Sequence, residues 1–307
     1  MLNLPSIAVL RSFEAAARFE SFTGAATELR IHQAAVSRQV RELEGIIGTP
    51  LFRKEGRGIA LTAAGKRLAL EVKDHLQSLN RTIETAKAAG QSGRVLAIAA
   101  LPTLSARWLA PRISAFKQAH PDVALLVYSR SEPFDLVRQG IDLAFHFGGP
   151  DWVEGDVEPL CPESLLLVAS PVLAERSNIQ SIADCIKMPK LHLMTRKHLW
   201  PSFLEELGKF SPDAWRGTQF DQFAPLISAA VAGVGAAIVP SYLIESELAQ
   251  GVLVPLAAPT SNDGAYYTVT PKGTTNPDAE TFRAWVQQEA EVSSKRRRHF
   301  ESGKPAR

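Results

Sequence analysis

The chain has 307 residues, 45% hydrophobic and 21% charged, which suits two or three compact globular units better than one small domain. No apolar run reaches the roughly 18 residues of a membrane helix, and Pro5, Arg11 and Glu14 interrupt any secretion signal, so a cytoplasmic protein without a membrane partner is expected. The net charge of +2 hides an acidic middle (20 basic and 25 acidic over residues 63–292) between basic ends (8 and 6 over 1–62, 6 and 1 over 293–307), which assigns any phosphate contact to the ends.

Three helical patterns open the chain. Leu10, Phe13, Ala16 and Ala17 recur at helical spacing between Ser6 and Phe19. A second helix starts at Ser21 as N-cap and runs through Ala25, Ala26 and Leu29, its paired alanines allowing close helix approach. After Arg30–Ile31–His32 a third runs from Gln33 to Ile47 and stops at Gly48, with Val36, Val40, Leu43 and Ile47 on one stripe. At about 100° per residue, Ala34, Arg38 and Arg41 point away from that stripe and Ser37 lies at its flank. Gln33, a small residue, Ser37 and Arg38 near a helix N-terminus are what entry into a DNA major groove requires. A solvated face of a small bundle has the same pattern. Pro50 to Leu61 then reads as a β-hairpin wing whose turn uses Gly56 and Gly58 and whose cations Arg53, Lys54 and Arg57 reach phosphate or the minor groove; alone, it also reads as an exposed basic loop.

The combination is more specific than either piece. The stretch from Ser21 to Leu68, SFTGAATELRIHQAAVSRQVRELEGIIGTPLFRKEGRGIALTAAGKRL, resembles the winged helix-turn-helix of LysR-type transcriptional regulators. That resemblance implies that Gln33, Ala34, Ser37 and Arg38 read bases or nearby phosphates of double-stranded promoter DNA, and that the wing around Arg57 tracks the backbone. Two positions depart from the family. His32 stands where Thr or Ser is usual, which puts the cap of the recognition helix in doubt, and Arg53–Lys54 replaces an acidic residue followed by Arg, which shifts the wing contact by one residue.

From Thr62 to Ala89 the chain lacks proline, and Leu68, Val72, Leu76, Leu79, Ile83 and Ala86 step by 4, 4, 3, 4 and 3, a coiled-coil-like seam. A helix of that length spans ~42 Å, more than one small domain covers. Packing on its own chain is one reading. The resemblance implies instead the linker helix of a second subunit, hence a homodimer and, paired, a homotetramer.

Beyond Gly93 strands and helices alternate, which argues parallel sheets covered by helices. Strands are expected at Val95–Ala100, Ala124–Tyr128, Leu143–Phe147, Leu165–Ala169, Lys190–Leu193, Gly217–Phe220, Ala236–Val239 and Tyr266–Val269. Helices are expected at Leu104–Gln118, Pro133–Gln139, Phe223–Ala232 and Asp278–Val292. Ligands of open α/β sheets sit beyond the C-terminal strand ends. Three loops meet that description: Pro102–Thr103–Leu104–Ser105, Ser129–Arg130–Ser131 and Phe220–Asp221–Gln222–Phe223. The first, with two hydroxyls and free N–H groups, suits a carboxylate or another small polar group, although each hydroxyl also reads as a helix cap. Gly233 and Gly235 in AGVGAAIVP precede a strand and read as a helix-to-strand turn rather than a dinucleotide loop.

LPTLSARWLAPRISAFKQAHPDV, GIDLAFHFG and FDQFAPLISAAVAGVGAAIVPSYLIESELAQGVLVPL are similar to LysR effector domains, most of all those of the glycine-cleavage and β-lactamase-induction activators. The fold implied is an all-α winged helix-turn-helix (1–62) and linker helix (63–92), then a mixed α/β effector domain (93–292) of periplasmic-binding-protein type. Its two Rossmann-like subdomains fall at about 93–162 with 265–292, and at 163–264. A disordered basic tail (293–307) is expected to follow. By the same analogy Thr103, Ser105, Ser129, His146, Thr195, Asp221, Gln222 and Tyr267 lie near the cleft of a small-molecule effector, an anion among the candidates. Effector binding is expected to re-angle the subdomains, altering the DNA bend and the contact with RNA polymerase.

An enzyme is the rival class, but G-x-S-x-G, Walker and HExxH patterns are absent. A pure solute-binding protein leaves the first 92 residues without a role. No cofactor or metal site is expected: Cys161 and Cys185 read as small buried hydrophobes, a redox pair being the alternative.

Overall fold

A computed structural model describes residues 4–56, 58–178, 182–258, 264–274 and 276–301. It divides into two units, Met1–Ala86 and Lys87–Arg307.

In the first unit α1 (Ile7–Phe19), α2 (Phe22–Leu29) and α3 (Gln33–Ile47) follow the anticipated pattern. Ser6 Oγ accepts from Val9 N at 3.3 Å and Ser21 Oγ from Gly24 N at 3.1 Å, so each helix begins where a hydroxyl satisfies a free N–H. His32 caps α3 without a side-chain hydrogen bond, the consequence of its departure from Thr or Ser. Val36 and Val40 pack against Ala15, Ala16, Ala25 and Ala26, while Leu43 joins Val9, Phe13 and Val72. Ile47 does not belong to the buried stripe: it is 43% exposed. The chain reverses at Gly48 (φ 73°), and Leu51, buried with Leu43, fills the core beyond the helix end.

The wing forms as β1 (Phe52–Glu55) antiparallel to β2 (Gly58–Leu61), with Phe52 opposite Leu61 and Glu55 opposite Gly58. Gly56 (φ 58°) takes the left-handed turn that favours glycine. The long helix α4 spans Ala63–Ser92, and Thr62 Oγ1 caps it by accepting from Gly65 N at 3.0 Å. Along its seam Leu68, Val72 and Leu76 pack into the first unit's core. Leu79 and Ile83 are 41% and 46% exposed.

The second unit holds two five-stranded sheets. The first has the order β4 (Val123–Ser129), β3 (Arg94–Ala100), β5 (Leu143–Gly148), β12 (Ala265–Pro271), β6 (Gly155–Pro162). The second has β11 (Val254–Ala257), β7 (Leu165–Ala169), β10 (Ala236–Pro240), β8 (Lys190–Leu193), β9 (Thr218–Phe220). The chain crosses from the first sheet to the second between β6 and β7 and returns between β11 and β12. Both sheets are mixed rather than parallel, because β12 runs antiparallel to β5 and β6, and β7 runs antiparallel to β10 and β11. The two strands not anticipated, β6 and β11, are edge strands containing Pro159 and Pro255. Proline is tolerated at an edge, where an N–H need not join the ladder, and it masks the strand in the sequence.

The helix expected over Leu104–Gln118 is instead a helical run over 102–119. It widens to a π-turn at Ser105–Leu109 and tightens to a 3₁₀ turn at Ala110–Arg112 before Ile113–Ala119. Pro111 has no N–H for the regular ladder, which accounts for the irregular turns. Gly233 (φ 75°) does make a helix-to-strand turn, and a Cβ at Gly235 would lie 2.7 Å from Pro189 O. The terminal helix runs Pro277–Glu301, so the segment expected to be a disordered tail is helical to Glu301. No proline or glycine follows Pro277 in the sequence as far as Glu301.

Gly65 is where backbone meets backbone: a Cβ there would stand 2.1 Å from Leu51 O. Gly65→Ala is expected to destabilise the first unit by about 1–3 kcal/mol, read as a lower midpoint in urea unfolding of that transition. An unchanged midpoint would mean that α4 is free to shift away from Leu51.

Candidate nucleic-acid interface and effector cavity

The burial of Val36, Val40 and Leu43 leaves Gln33, Ala34, Arg38 and Arg41 exposed on α3 and Ser37 half-buried. A groove of about 630 Å³ lies between the start of α2, α3 and the wing. Among the anticipated contacts Gln33, Ser37, Arg41, Arg53 and Lys54 line it. Ala34 and Arg38 are exposed outside that lining, and Arg57 lies outside the described residues. Arg41 Nη2 donates to Ser37 Oγ at 2.9 Å, which fixes both side chains one turn apart on the same face. Arg53 pairs with Glu55 at 3.1 Å, both side chains more than half exposed, an interaction worth about 0–1 kcal/mol and easily exchanged for phosphate.

Two features of this surface escaped sequence reasoning. Glu44 Oε1 accepts from Leu51 N at 2.8 Å and Phe52 N at 3.2 Å, so a single carboxylate pins the wing to α3. Thr23, in the first turn of α2, also faces the groove, beside unpaired N–H groups of that helix. Ser21 as a cap was legible, but its proximity to the wing was not. At the opposite end of α2, Arg18 bridges Glu14 on α1 (3.0 Å) and Glu28 (2.5 Å). The hydrogen bond to Arg18 holds the Glu28 carboxyl below its ordinary range.

In the second unit a cavity of about 350 Å³ lies between the two sheets. Four of the anticipated residues line it: Thr103, Thr195, Asp221 and Gln222. Ser129 is exposed at the end of β4, and Ser131 from the same loop lines the cavity instead. Ser105 is half-buried in the π-turn and does not line it. His146 and Tyr267 are opposite each other in the β5–β12 ladder, and the pair beside them, Phe147 and Tyr266, contributes the lining. Successive strand residues face opposite sides, so an assignment one residue off places the side chain behind the sheet. There His146 packs edge-on to Trp152, ring centroids 5.1 Å apart, and burial lowers its pKa from the ordinary histidine value.

Under the cavity wall lies a polar cluster the sequence reading did not identify. Arg196 forks onto Glu163, Nη1 to Oε1 at 2.8 Å and Nη2 to Oε2 at 2.7 Å, and Tyr266 Oη donates to Glu163 Oε1 at 3.3 Å. The Glu163 side chain is 0% exposed. Burial opposes the charge on Arg196, but the bonds to Glu163 outweigh it and hold its pKa above the ordinary value. Burial, reinforced by the charge of Glu163, pushes the Tyr266 phenol well up, so it stays a donor. The guanidinium also stacks on Phe147 at 4.8 Å. The one sequence signal was a glutamate two residues before the apolar strand Leu165–Ala169.

Among the described residues no three His, Cys, Asp or Glu side chains converge to hold a metal, and no helix is long and apolar enough to cross a membrane. Cys161 is half-buried and Cys185 buried, neither in a disulfide, and burial raises the Cys185 pKa.

Comparison with known proteins places both regions. Residues 7–66 match the bacterial regulatory helix-turn-helix protein, lysR family, and residues 89–291 match the LysR substrate binding domain. The chain is 34% identical to the HTH-type transcriptional regulator TrpI of Pseudomonas aeruginosa over 291 residues, covering 94% of this chain and 98% of that protein. It is 33% identical over 253 residues to the glycine cleavage system transcriptional activator of Escherichia coli, covering 82% of each. The AmpR effector binding domain from Citrobacter freundii superposes with a TM-score of 0.57 at 26% identity, covering 65% of this chain and 99% of that one.

Glu163→Ala leaves the largely buried Arg196 guanidinium without its counter-charge. The second unit is expected to lose about 3–5 kcal/mol, measured by chemical unfolding, whereas a loss below about 1 kcal/mol would mean that solvent reaches the pair.

Proposed function

Because the chain belongs to the LysR family of bacterial helix-turn-helix regulators, we propose that it binds two-fold promoter DNA as a homodimer, α3 entering the major groove and the β1–β2 hairpin following the backbone. Its relatives include activators of glycine cleavage and of a β-lactamase. The exposed face of α3 carries the reading. Ala34 lets the helix approach closely, Gln33, Ser37 and Arg38 meet base edges or adjacent phosphates, and Arg41, Arg53, Lys54 and Arg57 neutralise the backbone. The exposed seam of Leu79 and Ile83 on α4 supports pairing with a second copy, and two dimers together make a tetramer on neighbouring sites.

A LysR regulator couples this DNA contact to a small molecule. We assign the effector to the cavity lined by Thr103, Thr195, Asp221 and Gln222, with Ser131 and Tyr266 in place of Ser129 and Tyr267. A ligand held by both sheets favours one angle between them, and that preference shifts the population of DNA-bound states and the contact with RNA polymerase. The protein works on the DNA of the cytoplasm as a regulator without catalysis, and a neighbouring operon is its target.

Arg38→Ala is expected to weaken promoter binding by roughly tenfold to a hundredfold in a gel-shift titration at fixed salt, with an unchanged fold by circular dichroism. Undiminished affinity would remove α3 from the groove. Replacing Leu79 and Ile83 together by Asp should yield a monomer in analytical ultracentrifugation. A dimer that survives both charges would put the interface elsewhere.

A further inference from the structure

The cavity contains two charged side chains among its described lining residues, Arg196 and Asp221. They are not equivalent. Arg196 is already neutralised by the two-pronged contact with buried Glu163, so the pair presents no net charge to a ligand. Asp221, exposed at the cavity mouth, has no hydrogen bond or ion pair among the described residues. Nor is it spent on the helix that follows: Phe223–Val231 begins at Gln222 with no side-chain cap. The balance facing a ligand is therefore one unpaired negative charge. The rest of the wall is either neutral and polar, as with Thr103 and Thr195, or apolar, as with Phe223 and Leu243.

An anion entering here would leave water for a site whose only cation is matched, and would meet Asp221 at the mouth. A cation meets an unpaired carboxylate in a wall that includes the aromatic side chains of Phe223 and Tyr266. We infer that the effector carries a positively charged nitrogen on an apolar body, the nitrogen recognised by Asp221 and the body held between the two sheets. This departs from an anionic effector, and it rests on the cavity being the effector site.

The test uses the full chain and three probes that share a phenyl body: phenethylamine, 2-phenylethanol and 3-phenylpropionate, titrated by isothermal calorimetry. Phenethylamine should bind about tenfold more tightly than 3-phenylpropionate. Asp221→Asn should erase that preference and Asp221→Glu should keep it. Tighter binding of the carboxylate, equal binding of all three, no binding by any, or an amine preference that survives Asp221→Asn would each overturn the inference. A parallel gel shift of the parent chain on promoter DNA separates this from the regulator reading: only a parent chain that fails to bind promoter DNA would count against the regulator itself.

Discussion

The packing of Val36 and Val40 on the alanines of α1 and α2 decides which face of α3 meets the outside. Each such side chain contributes about 1.5–3 kcal/mol on burial, so rotating the helix by one residue would give up several kcal/mol. It would also press Ser37 or Arg38 into an apolar core, where an unpaired guanidinium is strongly unfavourable. The outward face is thus held by what lies beneath it. Glu44 extends the same constraint to the wing by accepting the N–H groups of Leu51 and Phe52, and Gly65 lets α4 lie against Leu51 without a side chain between.

The second unit solves a different problem, holding a cavity open between two sheets without collapse or strain. Its wall is stiffened by an ion pair between Arg196, which lines the cavity, and the buried Glu163, supplemented by Tyr266. Such a pair adds little net stability over an apolar replacement, because the desolvation of both charges offsets their attraction. It does give fixed geometry, and it removes from the cavity a cation that an inspection of the lining alone would offer to an anion. Outside the pocket, Arg107 pairs with Glu247 and donates to Leu243 O, and Arg112 pairs with Glu245 at 2.6 Å. These contacts tie the run over 102–119 to the segment after β10.

Much of this was legible in order along the chain. Ser6, Ser21 and Gly48 announced the helix limits, Gly56 the wing turn, and Leu165–Ala169 a strand whose bounds the structure reproduces. Resemblance to the LysR pattern added candidate site residues that local spacing cannot supply. On β12 it pointed to Tyr267, whereas Tyr266 lines the cavity, because strand parity depends on which sheet face is covered. Two edge strands were hidden by Pro159 and Pro255, and Ile47 was placed in a stripe that Leu51 completes instead.

By itself the sequence determined what periodicity and local chemistry can encode: where helices begin and end, which side of α3 is apolar, and that the basic residues cluster at the ends. Only the tertiary structure decided which charges remain available to a ligand. Glu163 and Arg196 are 33 residues apart, and no local pattern tells that one cancels the other while Asp221 finds no partner among the described residues. The physical reason is that ion pairing and desolvation are properties of neighbours in space, set when two sheets built from interleaved segments close over the same residues.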